Sequence, residues 1–219
     1  MRSTPSARVR TTRFPEPTWD VAHLFPPQGQ WYEEDYLALN GNRLVELSHG
    51  HLEVLPMPTT SHQIIAAYLY RLLYAFVTAR NLGTVLFAPL RIRLSRGTYR
   101  EPDVLFMRKE HAERIHEKWW DGADLVMEVV SGEVEDRRRD LVIKRRDYAR
   151  AAIPEYWIVD PEEETITVLR LAGRRYVVHG VFSQGMTAAS HAEPEFTVEV
   201  TKALSQRVPG AKKSRGSRG

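Results

Sequence analysis

Residues 124–133 read DLVMEVVSGE. Leu125, Val126, Met127, Val129 and Val130 form an apolar run with one carboxylate, Glu128, set inside it. A short run without polar alternation reads as a strand covered on both faces, which demands further elements above and below the sheet. The run also poses a chemical problem. A buried carboxylate is costly unless its pKa rises or a compensating partner stands beside it. What Glu128 binds is therefore a question about function as much as about folding.

Around this strand the chain alternates helices and strands. A Pro-rich, aperiodic stretch covers residues 1–28 and reads as a loose basic arm. WYEEDYLAL predicts a short helix, and RLVELSHGHLEVLP predicts a hairpin about a His49–Gly50 turn. The segment from Thr59 to Gly83 carries Ile64, Ile65, Tyr68, Leu69, Leu72, Leu73 and Phe76 at helical spacing, with a Thr/Ser start and an Asn81–Gly83 stop. Strands follow at TVLFAP, RIRLS and DVLFM, then a short polar helix at KEHAERIHEK. After the buried strand, DRRRDLVIKRRDYARAA predicts a helix stopped by Pro154, and EYWIVD another strand. TITVLRL and RRYVVHGVF close as a hairpin, and FTVEV predicts a last strand. The pattern is α/β: a mixed sheet flanked by helices, with antiparallel hairpins at both ends. A single domain is expected over 29–201, followed by a disordered basic tail over 202–219.

The charge balance is unevenly spread. Residues 1–13 carry four arginines and no acid, and residues 202–219 carry six basic residues and no acid. The net charge is +3, so the body between these ends stands at −7. The ends suit non-specific contact with a polyanion, whereas the body is not a basic nucleic-acid binder by charge alone. The chain has no cysteine, which excludes disulfides, zinc–thiolate sites and thiol catalysis and fits a reducing, cytoplasmic setting. The longest apolar stretch, AAYLYRLLYAFV, is too short to span a membrane and is interrupted by Arg71. No nucleophile elbow and no phosphate-binding loop is present. His49 and His51 in HGH fall short of a four-ligand zinc set.

Two acidic strands carry the chemistry. EPDVLFM puts Asp103 at the head of one strand, and LVMEVV puts Glu128 inside the other. If these strands are neighbours, the two carboxylates converge at one end of the sheet. Two oxygen ligands plus waters suit Mg²⁺, which keeps most of its hydration shell. Pairing with a buried arginine or a backbone cap is the structural alternative. The following helix carries Asp140, Lys144, Asp147 and Tyr148. Spacings of four and three place the first three on one face, either as an ion-pair ladder beneath a solvated arginine face (Arg138, Arg139, Arg145, Arg146, Arg150) or with Lys144 turned toward a metal. Glu101, two residues before Asp103, shares its face and is a further candidate ligand.

In their order, EPDVLFM, LVMEVVS and RRRDLVIKRRDYARAAIPEYWIVDPEEETITVLRL resemble the Uma-two family of restriction-endonuclease-like proteins, within the PD-(D/E)xK nuclease superfamily. The upstream LVELSHGHLEVLPMPTTSHQIIAAYLYRLL and GTVLFAPLRIRLS extend the resemblance, which runs from about Glu34 to Val200. It implies a restriction-endonuclease-like core and a Mg²⁺- or Mn²⁺-dependent nuclease acting on nucleic acid, DNA foremost. It implies Asp103 and Glu128 as catalytic metal ligands. Val130 stands where the motif has its lysine, and the resemblance moves that role to Lys144. It also implies Glu46 as an auxiliary ligand and His62 as a recurrent residue of unassigned role. Rival expectations are a catalytically silent nuclease fold that binds DNA or protein, and a metal-dependent hydrolase of small phosphate esters. A homodimer is compatible with cutting both strands; as a lesser option, the last hairpin and EYWIVD serve mainly as a dimer interface.

Overall fold

The computed structural model describes residues 25–39, 44–130 and 137–206 of the chain. Most of the basic arm, the loop at Ser131–Gly132–Glu133 and the end of the basic tail lie outside these residues.

The elements in chain order are α1 (Glu33–Leu37), β1 (Val45–Ser48), β2 (His51–Val54), α2 (Thr60–Arg80), β3 (Gly83–Phe87), β4 (Ile92–Ser95), β5 (Thr98–Arg100) and β6 (Val104–Arg108). A 3₁₀ segment at Lys109–Arg114 leads to β7 (Trp120–Asp121) and β8 (Leu125–Val129). A π-wound segment, Arg139–Lys144, then runs directly into α3 (Arg145–Arg150). It is followed by β9 (Glu155–Asp160), β10 (Thr165–Ala172), β11 (Arg175–Ser183), β12 (Thr187–Ala189), β13 (Thr197–Glu199) and α4 (Val200–Leu204).

The central sheet has the order β11-β10-β9-β8-β6-β3. Within this sheet, only β8 and β9 pair in parallel, because the π-wound segment and α3 cross between them. A second sheet, β2-β1-β5-β4-β7, includes the first hairpin. The predicted double burial of the 124–130 strand holds. Leu125, Met127 and Val129 enter a core beneath α2 and α4, while Val126 and Val130 enter a second core beneath α3, β4 and β7.

Helix α2 buries Ile65, Ala66, Leu69, Leu73 and Val77 against the first core. It starts where the Thr59 hydroxyl accepts from the His62 backbone N–H at 3.2 Å, and ends at Asn81 in the left-handed conformation, φ 52°. This places the helix start beside the end of the sheet where β6 begins.

Five expectations need correction. The helix after β8 is not uniformly α: its first half takes the wider π winding, a form concentrated at functional sites. Thr98–Arg100 forms a strand of its own, too short to carry a period. Lys202, Ala203 and Leu204 belong to α4, whose Val200, Ala203 and Leu204 are buried, so ordered chain continues past 201. Phe25 to Gln28 are docked rather than loose: Phe25 stacks on Trp31, and the Gln28 amide bonds both backbone groups of Leu52, at 3.0 Å and 2.7 Å. EYWIVD is also no interface, since all six of its residues are buried in the middle of the sheet.

Leu73→Ala empties a fully buried position between α2 and the sheet. The expected loss is about 2–5 kcal/mol, read as a lowered midpoint of urea unfolding with an unchanged slope.

Candidate active site

β6 and β8 run antiparallel with Val104 opposite Met127. Carried one residue further, this register sets Asp103 opposite Glu128. The Val129 N–H donates to Asp103 Oδ2 at 2.8 Å, which pins the carboxylate to the neighbouring strand. His62 arrives from the first turn of α2, its Nε2 3.1 Å from the same oxygen.

Glu128 points to the face of the sheet that the crossover helix covers. Tyr148 donates to Glu128 Oε1 at 2.5 Å, and Lys144 Nζ lies 2.9 Å from that oxygen. Lys144 also stands 3.3 Å from Asp140 Oδ1 and 3.6 Å from Glu46 Oε1. Asp140, Lys144 and Tyr148 thus form one inward stripe, and all three are buried. Asp147 does not extend a ladder with Lys144. It pairs with Arg100 at 2.7 Å, and Arg100 in turn donates to Glu46 at 2.8 Å.

One cleft is lined by His62, Glu101, Asp103, Glu128, Asp140 and Lys144. Glu46 is fully buried and does not line it. Its Oε1 accepts from the Glu101 N–H and its Oε2 from Arg100. Both oxygens are committed to protein donors, so its geometry is that of an anchor for Lys144 and Arg100. Arg139, expected on the solvated face, is largely covered and lies 3.4 Å from Glu53 and 3.6 Å from Asp140. Arg138, Arg146 and Arg150 are exposed.

The site holds more negative charge than its cations offset. Burial pushes Glu128 up, and the Asp103 and Asp140 carboxylates add to this against Lys144 and Tyr148, leaving it at about 8. Burial likewise raises Asp140. Glu101 is pushed up to about 7 by burial and by Glu46. Burial alone would also raise Glu46, yet Lys144 and Arg100 outweigh it and the net direction is down. For Lys144, burial favours the neutral amine, but Glu128, Glu46 and Asp140 reverse this and keep the ammonium protonated. His62 shows the same contest: burial lowers it, Asp103 raises it, and the net direction is up.

The donor set fits a hydrated divalent cation. Asp103 Oδ2 and Glu128 Oε1 are spent on protein donors. Among the described residues, none donates a hydrogen bond to Asp103 Oδ1 or Glu128 Oε2, leaving one oxygen from each strand. No set of three or more His, Asp or Glu side chains there stands in a metal-holding arrangement; an ion held by these two oxygens would keep several waters. Glu155 illustrates the structural alternative. It too is a buried strand glutamate, but its oxygens accept from Trp157 Nε1 and the His191 and Ala192 N–H groups. Backbone and indole donors satisfy both of its oxygens.

Arg100 and Asp140 were not singled out as site residues in the sequence. The available signal was the number of buried acids in need of a countercharge, which becomes readable only once burial is known.

Sheet and cleft together define a restriction-endonuclease-like fold with an acidic site at the β6–β8 end. The chain belongs to the Uma2 family, whose model, described as "Putative restriction endonuclease", matches residues 33–201. Among solved structures, the fold resembles that of "a putative nuclease belonging to DUF820" from Anabaena variabilis. The TM-score is 0.65 at 17% identity, over 80% of this chain and 98% of that one. No curated protein matches the chain. Among the described residues, no helix is long and apolar enough to cross a membrane.

The raised Glu128 value has a consequence for the metal-free protein. Between the ordinary value of 4.5 and about 8, the folded chain keeps a proton that the unfolded chain releases. Stability therefore falls as pH rises through this window. Glu128→Gln is expected to flatten that fall and to match or exceed the wild type in stability on its alkaline side. Urea midpoints measured across the window check this. Equal destabilisation at every pH would mean that the glutamate acts only as a fixed partner of Lys144.

Proposed function

We propose that this chain is a metal-dependent nuclease that holds Mg²⁺ or Mn²⁺ between Asp103 and Glu128 and hydrolyses phosphodiester bonds of DNA. The observation that carries the reading is the convergence of Asp103 and Glu128 across adjacent strands with a protonated Lys144 beside them. The family description supports nucleic acid as substrate.

When bound, the cation would supply charge to the phosphate and acidify a coordinated water. The protein groups do the rest. Asp103 is held by Val129 and His62, so its free oxygen is oriented before any ligand arrives. Glu128 is oriented by Tyr148 and Lys144 in the same way. Lys144 stays an ammonium, which suits it to orienting a water and stabilising developing phosphate charge rather than taking a proton. Glu46 and Arg100 fix the position of Lys144 from behind. Exposed Arg138, Arg146 and Arg150 would neutralise phosphates without reading sequence.

The test is cleavage of supercoiled plasmid with Mg²⁺ or Mn²⁺ against EDTA. Wild type is expected to nick only with metal, and Glu128→Gln and Asp103→Asn to lose both nicking and metal binding by calorimetry. Cleavage surviving in either variant removes that residue from the mechanism. A wild type that cuts no DNA while hydrolysing small phosphate esters would replace the nuclease reading.

Lys144→Met separates chemistry from metal binding. Cleavage is expected to fall by roughly 10²–10³-fold, measured at saturating metal and at a temperature where circular dichroism shows the fold intact, since the variant leaves Glu128, Asp140 and Glu46 without their shared cation. Unchanged cleavage would assign Lys144 a structural role alone.

A further inference from the structure

An exposed aromatic cluster adjoins the acidic cleft. Tyr74 and Phe87 are each about half exposed, at 48% and 52%. Tyr70 lies between them, its ring 5.6 Å from Tyr74 and 4.7 Å from Phe87. Two exposed rings bridged by a third, partly buried one make a contiguous aromatic surface, of the kind that marks a binding site.

The position of the cluster follows from strand register. Phe87 ends β3 opposite Val104, and the next residue, Ala88, donates its N–H to the Asp103 carbonyl at 3.1 Å. Ala88 and Gln63 both line the acidic cleft. One residue along the strand and one strand spacing across separate Phe87 from Asp103 in the backbone, about 6 Å; the Phe87 ring stands on the α2 face with Val104, at the sheet end where the cleft opens, and Glu128 stands on the opposite face. β3 is also the edge of the central sheet, so the ring faces open space there. On α2, the exposed positions Gln63, Ala67, Arg71 and Tyr74 follow helical spacing and make a stripe leading away from the cleft.

The charge around the cluster fits a polyanion. Residues 54–100 contain six arginines and no acidic residue; Arg80, Arg91, Arg93 and Arg100 pair with acids from elsewhere in the chain, which leaves Arg71 as the cation of α2 beside the cluster. Arg71 is exposed next to Tyr70 and makes no ion pair with any described residue. Helix α2 has no carboxylate to repel a phosphate backbone.

We propose that Tyr70, Tyr74 and Phe87 form a stacking platform for an unpaired base of a nucleic-acid strand whose phosphate occupies the Asp103–Glu128 cleft, with Arg71 beside the backbone. This deepens the nuclease reading and rests on it. Aromatic rings stack on a base only where the base is unpaired, so the platform favours single-stranded, frayed or unwound substrate over intact duplex.

The experiment measures binding of a fluorescently labelled single-stranded oligonucleotide and of its duplex by anisotropy with Ca²⁺ in place of Mg²⁺, alongside Mg²⁺-dependent cleavage of both. Proteins are wild type, Phe87→Ala, Tyr74→Ala, the conservative Phe87→Tyr, and Glu128→Gln, each checked for fold by circular dichroism. Phe87→Ala and Tyr74→Ala are expected to bind single strands roughly tenfold more weakly, with duplex binding little changed and Phe87→Tyr close to wild type. Unchanged single-strand affinity, in a wild type that cuts DNA in a Glu128-dependent way, overturns the platform and leaves the nuclease reading standing. A wild type that neither binds nor cuts either substrate overturns both. Sedimentation of the same proteins covers the other occupant: a wild-type dimer that the alanine variants dissociate, with single-strand affinity unchanged, makes the cluster a contact between two copies and overturns the platform.

Discussion

The structure depends on one buried ammonium. Lys144 is the point at which β8, the crossover helix and the first hairpin meet, because Glu128, Asp140 and Glu46 all converge on its Nζ. Burying that many ionisable groups is unfavourable unless each is paired and hydrogen-bonded. Arg100 extends the pairing to Asp147, and Tyr148 completes Glu128. The network ties the second sheet to the central one through charge where other parts of the interface use apolar packing.

That network remains electrically unfinished, and the deficit lies at the cleft. Glu46, on the protein side, is held ionised by two cations, while Glu128, Asp140 and Glu101, lining the cleft, are all pushed upward. A site that only stabilised the fold would gain from matching its charges, as Glu155 does with neutral donors. A surplus of carboxylate directed into a cleft, next to a lysine that stays protonated, is an arrangement that an added cation completes. The same fold places Tyr70, Tyr74 and Phe87, with the exposed Arg71, along the neighbouring edge.

Much of the site was legible in the chain because its residues interrupt strong patterns. Glu128 stands out inside an apolar strand, Asp103 heads another, and Lys144 follows at helical spacing from Asp140. Helix α2 was legible because its burial repeats with the helical period, and strands β8 and β9 because runs without polar alternation demand cover on both faces. Other parts were hidden. Arg100 and Glu46 are 54 residues apart, and nothing local marks either as the partner of the other. Strand β5 and helix α4 are too short to show a period, and the π winding of Arg139–Lys144 leaves the same residues inward that an α-helix would.

By itself, the sequence determined which segments had to be covered on both faces, which carboxylates needed a compensating partner, and which family the ordered motifs resemble. These are local matters of hydrophobic period and of the cost of isolated charge. Only the tertiary structure decided that Glu46 turns both its oxygens to Arg100, Lys144 and a backbone N–H, that Asp140 joins the cleft, and that Phe87 ends beside Asp103. Each of these depends on strand order and register, which bring distant residues to within hydrogen-bonding range and which no local pattern encodes.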